Sequence, residues 1–110
     1  MVKKISAEDL LRKIENSENF KLVDVLLPSG YGKWHIPGAV NIQINELEKL
    51  APDMLDKQDE IIVYCASLKC QSSTRAVKIL EGLGFINVSD YKGGKKEWME
   101  KNYPIEGGNK

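Results

Sequence analysis

Short runs of β-forming residues alternate along this chain with apolar residues at helical spacing. Ser6, with Asp9 three places on, has the form of a capping box, and Leu10, Leu11 and Ile14 follow at helical spacing. This predicts a helix over residues 6–17. Residues 20–25, FKLVDV, are short and β-rich and read as a strand. Residues 61–64, IIVY, are consecutive β-formers apolar on both faces, the mark of a strand covered on both sides. From Ser72 or Ser73 a second helix is expected. Its apolar stripe is Ala76, Val77, Leu80 and Leu83, and Gly84 stands at its stop. Residues 86–91, INVSDY, form a further strand, and residues 93–103 a glycine turn and a last helix ending before Pro104. Residues 44–56, INELEKLAPDMLD, predict a weaker helix interrupted at Pro52, and the tail from Glu106 onward, EGGNK, is expected to fray.

Strands alternating with helices predict an α/β fold: a mostly parallel sheet with helices on both faces. At 110 residues the chain fits one domain spanning 1–110. In such sheets ligands bind beyond the C-terminal ends of the strands. Cys65 stands at that kind of end, directly after the buried strand and before a helix.

Charge narrows the function classes. Sixteen basic and sixteen acidic residues cancel, which leaves no electrostatic footprint for nucleic acid or an anionic membrane. No apolar run approaches a transmembrane length, and the start, MVKKISAEDLL, has no signal core, so a cytoplasmic protein is expected. Two cysteines in such a compartment are more often thiols than a structural disulfide. No cofactor is expected. Cys65 and Cys70 with a single distant His35 supply too few ligands for a structural zinc site, so no metal is expected either.

A strand, a loop and a helix N-terminus together make an anion site, and a cysteine placed there is favoured as the thiolate, the nucleophilic form. Lys69 adds positive charge inside the loop, and Ser67, Ser72, Ser73 and Thr74 add hydroxyl donors. The local pattern thus fits a nucleophilic Cys65, but it equally fits a small buried thiol that only packs.

The rest of the chain shifts that balance. LVDVLLPSGYGKWHIPGAVNI, IVYC and LGFINVSDYKGGKKEWMEKNYPI resemble, in this order, the segments that characterise rhodanese-like domains. The resemblance covers nearly the whole chain. It implies a five-stranded rhodanese-like sheet and a sulfurtransferase whose cysteine cycles through a persulfide. Cys65 takes the catalytic place, and Ala66, Ser67, Leu68, Lys69, Cys70, Gln71 and Ser72 form the substrate-binding loop. The implied partners are a small sulfur donor, thiosulfate or a low-molecular-weight persulfide, and a thiol, cyanide or protein acceptor. A monomer is the default. Asp24 and His35 fall at structural positions: Asp24 is expected to bond to backbone or cap a turn, and His35 to sit in the core or a turn.

The chain departs from the family in the loop. The span from Cys65 to Gly84 is about two residues longer than usual and the loop has no arginine or glycine. CQSSTR offers an alternative in which Cys70 is the nucleophile, though that separates the cysteine from its strand. Otherwise Cys70 is a packing residue or a resolving thiol for Cys65. A related phosphatase or arsenate reductase would need C-x5-R, where Cys65 has Gln71 at that place. Arg75 would serve only if the helix began late. An interaction module without catalysis normally lacks the cysteine. A two-cysteine redox or sensor module remains a fourth reading. Trp34 is expected to pack, with a place at the site rim as its functional alternative.

Overall fold

The computed structural model describes residues 2–107. Its strands are β1 (Lys3–Lys4), β2 (Lys21–Asp24), β3 (Val40–Asn41), β4 (Glu60–Tyr64) and β5 (Asn87–Tyr91). They form one sheet in the order β1-β5-β4-β2-β3, parallel throughout. The helices are α1 (Ala7–Glu15), α2 (Pro28–Lys33), α3 (Leu47–Met54), α4 (Ser72–Gly82) and α5 (Gly94–Glu100), with a 3-10 turn at Ile44–Glu46.

The period of two along β4 divides the core. Ile61, Val63 and Cys65 face one side, where Leu47 and Ala51 of α3 and Ala76, Val77 and Leu80 of α4 close over them. Ile62 and Tyr64 face the other, against Ala7 and Leu10 of α1 and Trp98 of α5. Full burial of a side chain such as Leu80 stabilises the fold by about 1.5–3 kcal/mol. Cys65, the residue directly after the central strand, continues this alternation and is seated on the α4 side.

Local signals explain the helix ends. The Ser6 hydroxyl accepts from the Asp9 amide at 3.1 Å, capping α1. α4 stops in a Schellman motif: the Phe85 amide donates to Leu80 O at 3.1 Å and the Gly84 amide to Glu81 O at 3.0 Å, with Gly84 at φ +98°.

Two expectations are corrected. α3 is not interrupted at Pro52. It runs through to Met54, because Leu47 and Ala51 hold its face on the core and the Leu55 amide still reaches Ala51 O at 2.9 Å. The tail does not fray from Glu106. Glu106 and His35 exchange backbone hydrogen bonds of 2.9 Å in both directions, and the Gly38 amide donates to Glu106 Oε1 at 3.0 Å. Residues 108–110 lie outside the described residues. The edge strands β1 and β3 and the short helix α2 carry no sequence signal of their own. Each is too short for periodicity to register. Among the described residues no helix is long and apolar enough to cross a membrane.

Candidate active site

The loop between β4 and α4 has a fixed root and an exposed tip. At the root, the first turn of α5 supplies its free amides: Lys95 N–H donates to Cys65 O at 3.0 Å and Lys96 N–H to Ala66 O at 2.8 Å. This approach needs Gly94. A Cβ there would lie 2.5 Å from Cys65 O and 2.8 Å from Ser67 N, and its φ is +65°. At the tip, the Cys70 amide closes a turn onto Ser67 O at 3.0 Å, leaving Leu68 and Lys69 exposed. Gln71 and Ser72 lead into α4, which begins at Ser72, and Gln71 O accepts the Arg75 amide at 3.0 Å. Arg75 is exposed on α4, outside the loop, so the loop contains no guanidinium. This weakens the phosphatase and arsenate-reductase reading, since a doubly charged oxyanion calls for a bidentate donor.

The turn folds Cys70 back over Cys65. Both thiols are free. Cys65 Sγ donates to Cys70 O at 3.6 Å, and the Lys92 ammonium donates to the same carbonyl. Each thiol also shifts the ionisation of the other. Their environments differ. Cys65 is fully buried, and burial, followed by the Cys70 side chain, pushes its thiol above the ordinary value; the Ser73 hydroxyl and amide pull the other way but more weakly. Cys70 is half-buried. Burial opposes its ionisation, but hydrogen bonding from Cys65 and from the Ser72 and Ala66 amides outweighs burial and holds it below the ordinary thiol value. The expectation that the helix dipole lowers Cys65 itself is thus corrected: loss of solvent dominates there, and the loop amides serve Cys70. Because each thiol shifts the other, the first proton lost belongs to the pair.

Ser73 Oγ is buried and has no hydrogen-bond partner of normal length. Beyond the loop tip lie two open depressions. One of about 360 Å³ is lined by Ser67, Leu68, Lys69 and Lys96. Another of about 610 Å³ is lined by Val2, Lys4, Gln71, Thr74 and Lys92. Lys4, Lys69, Lys92 and Lys96 line these two depressions; Lys96 is paired with Glu100 at 3.2 Å, and neither depression is lined by a cysteine. Among the described residues no cluster of His, Cys, Asp or Glu could hold a metal ion.

Asp24 and His35 lie away from the sulfur. Asp24 Oδ1 accepts the Leu26 amide and Oδ2 the Tyr64 hydroxyl, both at 2.9 Å, and Tyr64 Oη accepts the Ile36 amide at 3.1 Å. Burial raises the Asp24 carboxyl above its ordinary value despite these donors. His35 stacks on Tyr31, with ring centroids 3.9 Å apart, and its Nδ1 meets Tyr31 O at 3.0 Å. Trp34 lies under the Lys95 ammonium, 4.5 Å from ring centroid to nitrogen, on the α1 and α5 side of the sheet. Sequence reasoning missed Lys92 and the reach of Gly94. Lys92 immediately follows β5, the neighbour of β4, so strand order is the signal that finds it.

Comparisons with known proteins agree with this fold. The rhodanese-like domain family matches residues 6–101. YrkF of Bacillus subtilis is 33% identical over 100 residues, 91% of this chain and 52% of that protein. The thiosulfate sulfurtransferase PspE of Escherichia coli is 35% identical over 80 residues, 72% of this chain and 75% of that protein. The crystal structure of the BH2092 protein from Bacillus halodurans superposes with a TM-score of 0.90 at 31% identity, covering 96% of this chain and 77% of that one. Several relatives are longer: the chain spans between 22% and 52% of the length of four curated proteins it matches, YrkF included. With the strand order, the cysteine after the central strand and the family match over residues 6–101, this chain belongs to the rhodanese-like domain family.

Proposed function

We propose that the protein is a sulfurtransferase that takes sulfane sulfur from thiosulfate or a low-molecular-weight persulfide onto Cys65. It then passes the sulfur to a thiol, cyanide or a protein acceptor. The observation that carries this reading is the thiol pair directly after the central strand, where the Cys65 thiol donates to the Cys70 carbonyl at 3.6 Å and Cys70 is the more readily ionised of the two. Cys70 thiolate takes the Cys65 proton. Cys65 Sγ attacks the outer sulfur of thiosulfate, a sulfur–sulfur bond forms, and sulfite leaves with the electron pair of the broken bond. Lys69, Lys92 and Lys96 attract the anion, and the Ser73 hydroxyl is free to donate to the new sulfur. The presence of named thiosulfate and thiosulfate:glutathione sulfurtransferases among its relatives supports the reaction class.

A second reading has a specific observation in its favour. Cys70 is the less buried thiol and the more easily ionised, so it is itself a candidate nucleophile. Intact-mass spectrometry after treatment with thiosulfate or glutathione persulfide separates the two. On the proposed assignment, Cys70→Ser gains about 32 Da, one labile sulfur, and Cys65→Ser does not. Retention of the gain in Cys65→Ser and its loss in Cys70→Ser would transfer the role to Cys70.

A further inference from the structure

The pair carries a step that sulfur transfer does not require. Both thiols are free, and Cys65 Sγ already touches the Cys70 backbone. The intervening residues belong to a turn and not to a helix or strand, so small shifts of Cys70 break no regular structure. The loop carbonyl of Cys70 is held by the Lys92 ammonium, which keeps Cys70 over Cys65. Ser73 Oγ, in the first turn of α4, is buried and without a hydrogen-bond partner, and Ser73 favours an anionic Cys65 sulfur. A transfer enzyme needs one thiol, and a second one on the residue whose carbonyl Cys65 Sγ meets is placed to attack a persulfide formed on the first.

Resting on the function proposed above, we infer that the Cys65–Cys70 pair is a sulfane-sulfur reductase centre that releases bound sulfur as hydrosulfide and closes to a disulfide. The Cys70 thiolate attacks Cys65 Sγ, the inner sulfur of the Cys65 persulfide. The Sγ–Sγ bond forms and the bond from Sγ to the outer sulfur breaks. The outer sulfur leaves with that electron pair and takes a proton, becoming hydrosulfide. The sulfane sulfur is reduced by two electrons and the two cysteines are oxidised by two. A dithiol reductant returns the disulfide to the starting pair. The substrate class is a persulfide donor, and the product class is sulfide. A persulfide handed to an acceptor escapes this step only when the acceptor arrives before Cys70 attacks.

The test is single-turnover loading of the fully reduced chain with one equivalent of glutathione persulfide, without oxygen. Sulfide release, intact mass and cysteine connectivity are followed together. Wild type should release about one equivalent of sulfide and end about 2 Da lighter, with a Cys65–Cys70 disulfide. Cys70→Ser, loaded to completion, should hold its extra 32 Da or so and release sulfide about tenfold more slowly or less. That residual rate measures what the liberated glutathione does alone. A wild type that keeps its persulfide as long as Cys70→Ser, or whose sulfur moves to Cys70 without sulfide release, overturns the reductase and leaves the transferase standing. Failure of both proteins to take up any sulfur overturns the transferase, and the reductase with it.

Discussion

Replacing Gly94 with alanine would place a methyl carbon 2.5 Å from Cys65 O, 2.8 Å from the Ala66 carbonyl carbon and 2.8 Å from Ser67 N. All three are backbone atoms, so no side chain can swing aside. The new residue also keeps a left-handed φ of +65°, which costs about 1–2 kcal/mol for a residue with a Cβ. To relieve the contact, α5 must separate from the loop. The bonds from Lys95 N–H to Cys65 O and from Lys96 N–H to Ala66 O then lengthen or break, at a net cost of about 1 kcal/mol each. Together the loss is about 3–4 kcal/mol, a large part of the roughly 5–15 kcal/mol that holds a typical domain. Gly84→Ala is the control. Gly84 has φ +98°, but its Cβ would meet only the Lys57 side chain, at 3.5 Å. It should lose only the backbone term of about 1–2 kcal/mol and keep sulfur uptake. Urea unfolding at constant m-value, with persulfide loading measured on the folded protein, reads both. If Gly94→Ala lost no more stability than Gly84→Ala and loaded sulfur at the wild-type rate, the clamp of α5 on the loop would not be what positions Cys65.

Two more outcomes follow from the buried polar groups. Tyr64→Phe leaves Asp24 Oδ2 and the Ile36 amide without a partner and should cost about 2–4 kcal/mol by urea unfolding. Asp24 has a folded pKa raised above its unfolded value of 3.8, so the stability from its bound proton is present below that value and lost as pH rises through the folded one. The Tyr64 hydroxyl favours the ionised form, so without it the folded pKa climbs further. The deficit of the variant should widen as pH rises through the Asp24 range, and a pH-independent deficit would refute the pairing. Cys70→Ser removes the group that takes the Cys65 proton and leaves a thiol raised by burial. The rising limb of the pH profile for persulfide loading should therefore move to higher pH than in wild type, with slower loading at pH 7. An unmoved limb would show that Cys65 ionises without Cys70.

Much of the architecture was legible because periodicity reports burial. IIVY announced a strand covered on both faces, and Ile61 and Val63 do point to one layer and Ile62 and Tyr64 to the other. Ser6 and Gly84 marked their helix ends through local hydrogen bonds that need no tertiary context. Pro52 misled because its local penalty was weighed without the core that holds Leu47 and Ala51. Family resemblance pointed to Cys65, Asp24 and His35, and strand-end placement pointed to the loop. The ionisation of the two thiols was not legible. It depends on which sulfur the Ser67–Cys70 turn places against the amides of Ala66 and Ser72, a geometry that spacing alone does not encode. The same holds for Lys92, which reaches the loop from a neighbouring strand.

The loop's two ends are held independently of its middle. Its first two carbonyls are fixed by α5, Cys70 is held by Lys92 and Cys65, and Gln71 enters α4, so Ser67 to Lys69 span the gap between two anchors. This makes the tip a replaceable cassette: Leu68 and Lys69 can be lengthened, shortened or exchanged for another recognition sequence while the sulfur stays in place. Choice of acceptor and chemistry at the thiol can then diverge separately, one by loop exchange and the other by changes under α4.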